Sequence, residues 1–210
     1  LQGNGDLSIN DKMVKYLPEL IGTNKAHMTI KMVLEHKAGL KSWIPFYKST
    51  IKDSTTYDSL YSKIASDTHT YVGNDLYVLS SYKKQMLKQI LDSKLGPIGK
   101  YKYSDLGMIL MKDLIERITG VSVDYYVDSV FYRPMGIDRM TYLPLNKFDK
   151  SAIIPTSISP DMRKGLVHGF VHDPAAAMLG GISGHAGLFS NSKSLAILMK
   201  MLLNGGVYNG

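Results

Sequence analysis

The segment from Ser104 to Gly120 constrains this chain more than any other. Ser104 is an N-cap residue type, and Asp105 places a carboxylate in the first turn, where a helix dipole favours negative charge. Leu106, Ile109, Leu110, Leu114 and Ile118 then recur on one face, and Gly120 stands where a left-handed terminator is wanted. The pattern predicts a helix with a single apolar stripe, and that stripe has to be covered by other elements.

Four further stretches carry helical periodicity. Ser122 is a cap type for a helix with Val123, Tyr126, Val127 and Val130 inward, stopped by Pro134. Ser80 to Leu95 sets Met86, Leu87, Ile90 and Leu91 on one side and closes at Gly96-Pro97. Thr29 introduces Ile30, Val33 and Leu34, with Gly39 as the expected end. A last helix is predicted from near Ser192 to Asn204-Gly205-Gly206. Near the start of the chain, Pro18 in Tyr16-Leu17-Pro18-Glu19-Leu20 stops any helix.

The rest reads as connections. Trp43-Ile44-Pro45-Phe46-Tyr47 opens an irregular, Tyr-rich stretch to about Thr70, with one short helix expected around Leu60 and Ile64. Residues 140–190 contain Pro, Gly and His without a sustained period and predict loops with short strands. Few segments alternate with period two, so no large sheet is expected from these residues. The sequence therefore predicts a mainly α fold with minor β.

Composition removes several functions. No apolar run approaches the roughly 20 residues needed to cross a bilayer, since Lys200 interrupts even Leu195 to Leu203. The net charge of +7 rests on scattered lysines, with only Arg117, Arg133, Arg139 and Arg163 as arginines, so no basic face for nucleic acid is expected. The absence of Cys excludes disulfides, thiolate nucleophiles and Cys-based metal sites, and leaves the compartment open.

Three stretches, in this order and spacing, resemble the serine hydrolase superfamily of class C β-lactamases, penicillin-binding proteins and related esterases. They are Asp6 to Leu20 with Thr29 to Leu40, Tyr103 to Gly120 (YSDLGMILMKDLIERITG), and Gly180 to Gly206 (GGISGHAGLFSNSKSLAILMKMLLNGG). Within it, VHDPAAAMLGG and WIPFYK look similar to serine-hydrolase modules fused to family three glycoside hydrolases of the β-N-acetylglucosaminidase type. The resemblance implies that residues 1–210 are a partial domain: the helical lobe and adjoining pieces of the β-lactamase/transpeptidase-like α+β fold, without the nucleophile segment and the C-terminal sheet.

The chemistry implied is attack by a Ser hydroxyl on an ester or amide carbonyl, a weak nucleophile until a base takes its proton. In the family pattern a Lys follows that Ser by one turn and the Tyr of the second motif faces both. Tyr103 corresponds to that Tyr and is the expected proton-transfer residue, with Ser104 beside it. Asp105 replaces the usual Asn; an amide can donate a hydrogen bond to a substrate carbonyl, whereas an ionised carboxylate only accepts. Asp105 would shape the substrate site, pair with the motif Lys, or merely complement the helix N-terminus.

Ser-x-x-Lys occurs at Ser49/Lys52, Ser80/Lys83, Ser81/Lys84 and Ser190/Lys193, a frequency that chance supplies in a Ser- and Lys-rich chain. The family places its nucleophile before Leu1, and Ser49 is the remaining internal candidate. His185-Ala186-Gly187 imitates the third motif, although the proper one is expected beyond Gly210. The resemblance therefore implies that this segment alone is inactive and that the whole enzyme needs the remaining parts of its chain. It also implies a small-molecule or cell-wall-derived substrate, no cofactor, and a periplasmic or cell-surface location.

Other readings of the same residues stay open. His172, Asp173 and His185 are expected to line the cleft from loops, or His185 is a histidine held by loop backbone. His168 and His172 have the spacing of zinc ligands on a helix, but Gly165, Gly169, Val171 and Pro174 oppose that helix. His36 near a helix end is expected to be structural. Trp43, Phe46 and Tyr47 could stack on sugars or form a small core. The contrasting function is a non-catalytic binding module that keeps the fold without the reaction.

Overall fold

The computed structural model describes residues 1–52, 56, 57 and 59–208. Its α-helices are α1 (Ile30–Leu34), α2 (Tyr82–Asp92), α3 (Asp105–Thr119), α4 (Val123–Val127), α5 (Pro174–Met178) and α6 (Ser192–Leu203). Its strands are β1 (Ile51–Lys52), β2 (Thr56–Tyr57), β3 (Tyr61–Ser62), β4 (His69–Gly73), β5 (Leu76–Leu79), β6 (Pro155–Ser159) and β7 (Gly165–His168).

Helix α3 forms as its stripe requires. Leu106, Ile109, Leu110 and Leu114 are buried, and Gly120 ends the helix at φ +71° with its N–H on the Glu116 carbonyl. Ser104 precedes the helix without capping it by its side chain. Its hydroxyl instead donates to Lys41 O at 2.6 Å, its N–H donates to His36 Nδ1 at 3.2 Å, and the Asp105 N–H reaches Ser42 O at 2.8 Å. The start of α3 is thus sewn to residues 36–42, which satisfies backbone groups that a helix N-terminus leaves open.

Helix α1 packs on α3 so closely that a Cβ on Gly107 would stand 2.8 Å from Val33 Cγ1. Thr29 caps α1 by accepting from the Met32 N–H. Gly39, however, is not its terminator. The helix ends at Leu34, and His36 turns the chain at φ +55°; Gly39 serves a close approach, since a Cβ there would lie 2.6 Å from Gly96 O. Helix α2 is shorter than Ser80 to Leu95 but buries Met86 and Ile90 as expected. The buried Lys25 ammonium closes its C-terminal end on Leu91 O (2.9 Å) and Ser93 O (2.6 Å), where the dipole favours a cation. Burial pushes the Lys25 pKa below the usual lysine range.

The helix expected around Leu60 and Ile64 is replaced by β structure. Strand β5 is the centre of a three-stranded antiparallel sheet ordered β3-β5-β4, and Asn74 and Asp75, both at φ +52°, make the two-residue turn joining β4 to β5. Two residues with positive φ give the turn whose twist matches paired strands. Leu76 and Val78 face the core, a two-residue period too short to stand out in the sequence. Two further antiparallel ladders, β1-β2 and β6-β7, complete an α+β arrangement.

Helix α4 continues into one wider turn at Asp128–Tyr132, and Val130, expected inward, is 45% exposed. Helix α6 starts at the Asn191 cap, close to its expected position, and Ile197, Leu198 and Met201 pack on a small cluster of Tyr132, Met135, Ile137 and Met140. The larger core joins α1, α2, α3, α5 and the β4-β5 hairpin. Among the described residues no helix is long and apolar enough to cross a membrane.

Candidate active site

An extended Tyr101-Lys102-Tyr103 run leads into α3 and leaves Tyr103 56% exposed. One side of its ring rests on His36, with centroids 4.7 Å apart, and Tyr101 meets the same imidazole edge-on at 5.9 Å. Because His36 Nδ1 accepts the Ser104 N–H, the hydrogen bond places the neutral ring's proton on Nε2. His36 therefore does more than end a helix: it clamps the corner from which α3 springs.

One turn of chain further, half-buried Asp105 opens on a cavity of about 70 Å³ lined also by Trp43, Tyr47, Ile109, Asp173 and Pro174. Burial pushes its carboxyl above the usual range; His185 opposes that push, Asp173 reinforces it, and His36 opposes it weakly. Phe46 is buried in the core and Trp43 is 56% exposed, and both line the cavity.

Asp173 approaches from the opposite side as the N-cap of α5. Its Oδ1 accepts from the Ala176 N–H at 2.7 Å and stands 2.9 Å from His185 Nε2. Burial alone would raise this carboxyl, but the His185 and Ala176 hydrogen bonds outweigh it and hold Asp173 below the usual range. His185 Nδ1 is 2.8 Å from Ser183 Oγ, and only 3% of the His185 side chain is exposed. Ser183, His185 and Asp173 form one hydrogen-bonded chain, buried at Ser183 and His185 and partly exposed at Asp173. Sequence reasoning named the last two and missed Ser183; its one signal was a Ser two residues from a His in a Gly-rich run.

This loop is pressed onto α3. A Cβ on Gly184 would stand 2.2 Å from Met108 O, and the Tyr142 hydroxyl donates to Ser183 O at 3.1 Å. Behind it lies a second buried polar group. Arg163 is fully buried, pairs with Asp161 through several hydrogen bonds, and donates to the carbonyls of Val171 and His172. Burial pushes the Asp161 carboxyl up, but Arg163 outweighs this and holds it below the usual range. The segment leading to Asp173 is thereby fixed.

His172 contributes its carbonyl to Arg163 and keeps its side chain exposed. His168 lies in β7, bonded to Ile153 O, and the described residues hold no group of three or more His, Cys, Asp or Glu placed for a metal. Of the local Ser-x-x-Lys serines, Ser49 bonds Phe46 O and the Tyr82 hydroxyl, Ser80 bonds Thr70, and Ser190 bonds Asn191 O. Asp105 and Asp173 thus border one cavity, His185 is bonded to Asp173, and Tyr103 stands exposed two residues before Asp105.

The family model described as Beta-lactamase matches residues 1–210. The chain belongs to the β-lactamase family. A relative in Escherichia coli (strain K12), named D-alanyl-D-alanine carboxypeptidase, is 32% identical over 228 residues, covering 99% of this chain and 47% of its own length. This β-lactamase-family chain thus spans about half the length of the curated relatives it matches. Among solved structures, the octameric penicillin-binding protein homologue from Pyrococcus abyssi superposes with a TM-score of 0.63 at 20% identity, over 97% of this chain and 41% of that one. A class C beta lactamase from Rhodobacter sphaeroides gives 0.58 at 14% identity, over 99% and 48%. These likenesses show the fold that the resemblance implied.

Proposed function

We propose that the chain forms the helix-rich part of a serine hydrolase that cleaves an ester or amide through an acyl-serine intermediate, with Tyr103 as the proton-transfer residue and Asp105 facing the substrate. The observation that carries this reading is the Tyr103–Asp105 corner itself. Its phenol is exposed at a corner held by three hydrogen bonds, two residues before Asp105, which bounds a cavity together with Asp173. A phenol needs a neighbouring cation to work as a base near neutral pH. In this reading the cation is the Lys of a Ser-x-x-Lys segment outside residues 1–210.

His172, Asp173 and His185 are then loop residues of the cleft, with Asp173 and His185 supporting Asp105 and Ser104 tying the corner to Lys41. The reaction needs no metal or organic cofactor. Relatives named D-alanyl-D-alanine carboxypeptidase support a cell-wall-derived peptide as the substrate class and a periplasmic or cell-surface location. Work alongside a β-N-acetylglucosaminidase domain belongs to the same reading. The test is hydrolysis of nitrophenyl acetate and of a peptide ending in D-alanyl-D-alanine, by the 210-residue chain and by the longer protein that contains it. Saturable turnover by the longer protein and none by the 210-residue chain is expected. Turnover by neither makes the chain a binding module, and turnover by the short chain requires a nucleophile within it.

A further inference from the structure

Asp105 can present two opposite faces to whatever enters the cleft: ionised, it only accepts hydrogen bonds; protonated, it donates one, as an amide would. We infer that the Ser183–His185–Asp173 chain decides between these two states, so that all three are positioning residues that set the hydrogen-bond polarity of Asp105 and hence what the cleft accepts. This deepens the hydrolase reading and rests on it for its functional meaning.

Asp105 and Asp173 border the same space of about 70 Å³, and two carboxylates in so little water resist being ionised together. Of the two, Asp105 is the one that protonates more readily, because Asp173 already accepts from the Ala176 N–H and meets His185 Nε2. A positive charge on the His185 side would favour the ionised form of Asp105, and removing it would favour the protonated form. Among the described residues, the charged groups that bias Asp105 are His185, Asp173 and His36.

The geometry is built to hold the imidazole in one place. Both ring nitrogens are engaged, Gly184 seats the loop against Met108 O, and Tyr142 fixes Ser183 from the other side. Arg163 holds the carbonyls of the two residues before Asp173, so neither end of the chain can swing away from α3. A histidine that merely filled space would need one partner and no carboxylate across the cavity. This one is tied at both nitrogens beside a carboxylate whose state it can change.

The test follows the side-chain carboxyl carbons of labelled aspartate by NMR in the 210-residue chain from about pH 2 to pH 8, with Asp105→Asn assigning the Asp105 signal. His185→Gln is expected to raise the proton affinity of Asp105 by about threefold or more, and Asp173→Asn to lower it by a similar factor. Ser183→Ala, which leaves the imidazole on Asp173, gives a smaller change and stands in if His185→Gln fails to fold. Folded variants in which the Asp105 midpoint stays put overturn the inference, as does unfolding of all three variants, which would make the chain a strut for the fold. The readout does not depend on turnover. An Asp105 signal that responds, in a protein whose hydrolysis ignores Tyr103→Phe, would sink the hydrolase reading and leave this one standing.

Discussion

The two walls of the cleft are held in place by different means. On the α3 wall, the backbone is anchored: Ser104 and Asp105 are tied through their N–H groups, Ser104 also through its hydroxyl, while Tyr103 ends in solvent. On the opposite wall, side chains hold one another in the interior, through Asp161 to Arg163 and through Asp173 to His185 to Ser183. A group that has to meet a substrate must remain accessible, so its precision comes from the backbone beneath it. A group that sets the local charge works best without water, and there each polar atom needs a partner.

This contrast predicts unequal responses to mutation. Arg163→Met leaves Asp161 buried without its cation and is expected to cost about 3–5 kcal/mol in denaturant unfolding, with much of it recovered by adding Asp161→Leu. A loss below about 1 kcal/mol would mean that the second wall is no more buried in energy than a surface pair. Gly184→Ala forces a Cβ against Met108 O and should cost about 1–3 kcal/mol. An unchanged melting curve would show that the two walls are not pressed together. His36→Ala removes the acceptor for the Ser104 N–H and the ring under Tyr103, with an expected cost of about 1 kcal/mol and an increase in amide exchange at Ser104.

Acid should separate the walls as well. Asp161 and Asp173 sit below the usual carboxylate range, so their stabilisation is present above about pH 4 and fades as pH falls through their depressed folded values. Asp105 is raised, so its contribution is present below about pH 4 and is lost as pH rises through its folded value. Asp105→Asn should therefore flatten the stability profile on the alkaline side of that window, and Asp173→Asn on its acid side. Unfolding curves at a series of pH values give both slopes, and matching profiles for the two variants would erase the distinction.

Signals confined to one stretch of chain were legible in the sequence. The α3 stripe, its Gly120 stop and the start of α6 lie where apolar spacing and terminal residues place them. Signals that depend on partners were not. The β4-β5 hairpin hides in a Tyr-rich run because β5 buries every second residue over only four positions and β4 buries only Val72 and Gly73, yet Asn74-Asp75 was a readable turn. Ser104 has the residue type of a cap but bonds across to Lys41, and Val130 faces outward because the wider turn after α4 rotates it from the expected face. At the cavity, Asp105 could be singled out from its motif with Tyr103, and it does border that space. The partnership of Asp173 with His185 needed α5 and its following loop to fold back, and Ser183 entered only with that contact.

The account depends on Tyr103 as the group that moves the proton in acyl transfer. Its most direct test is steady-state hydrolysis of nitrophenyl acetate by the longer protein, comparing the native sequence with Tyr103→Phe, whose folding is checked by its melting temperature. The account predicts a fall in kcat/KM of about 10²- to 10⁴-fold with the melt preserved. Equal turnover by the two proteins would contradict it.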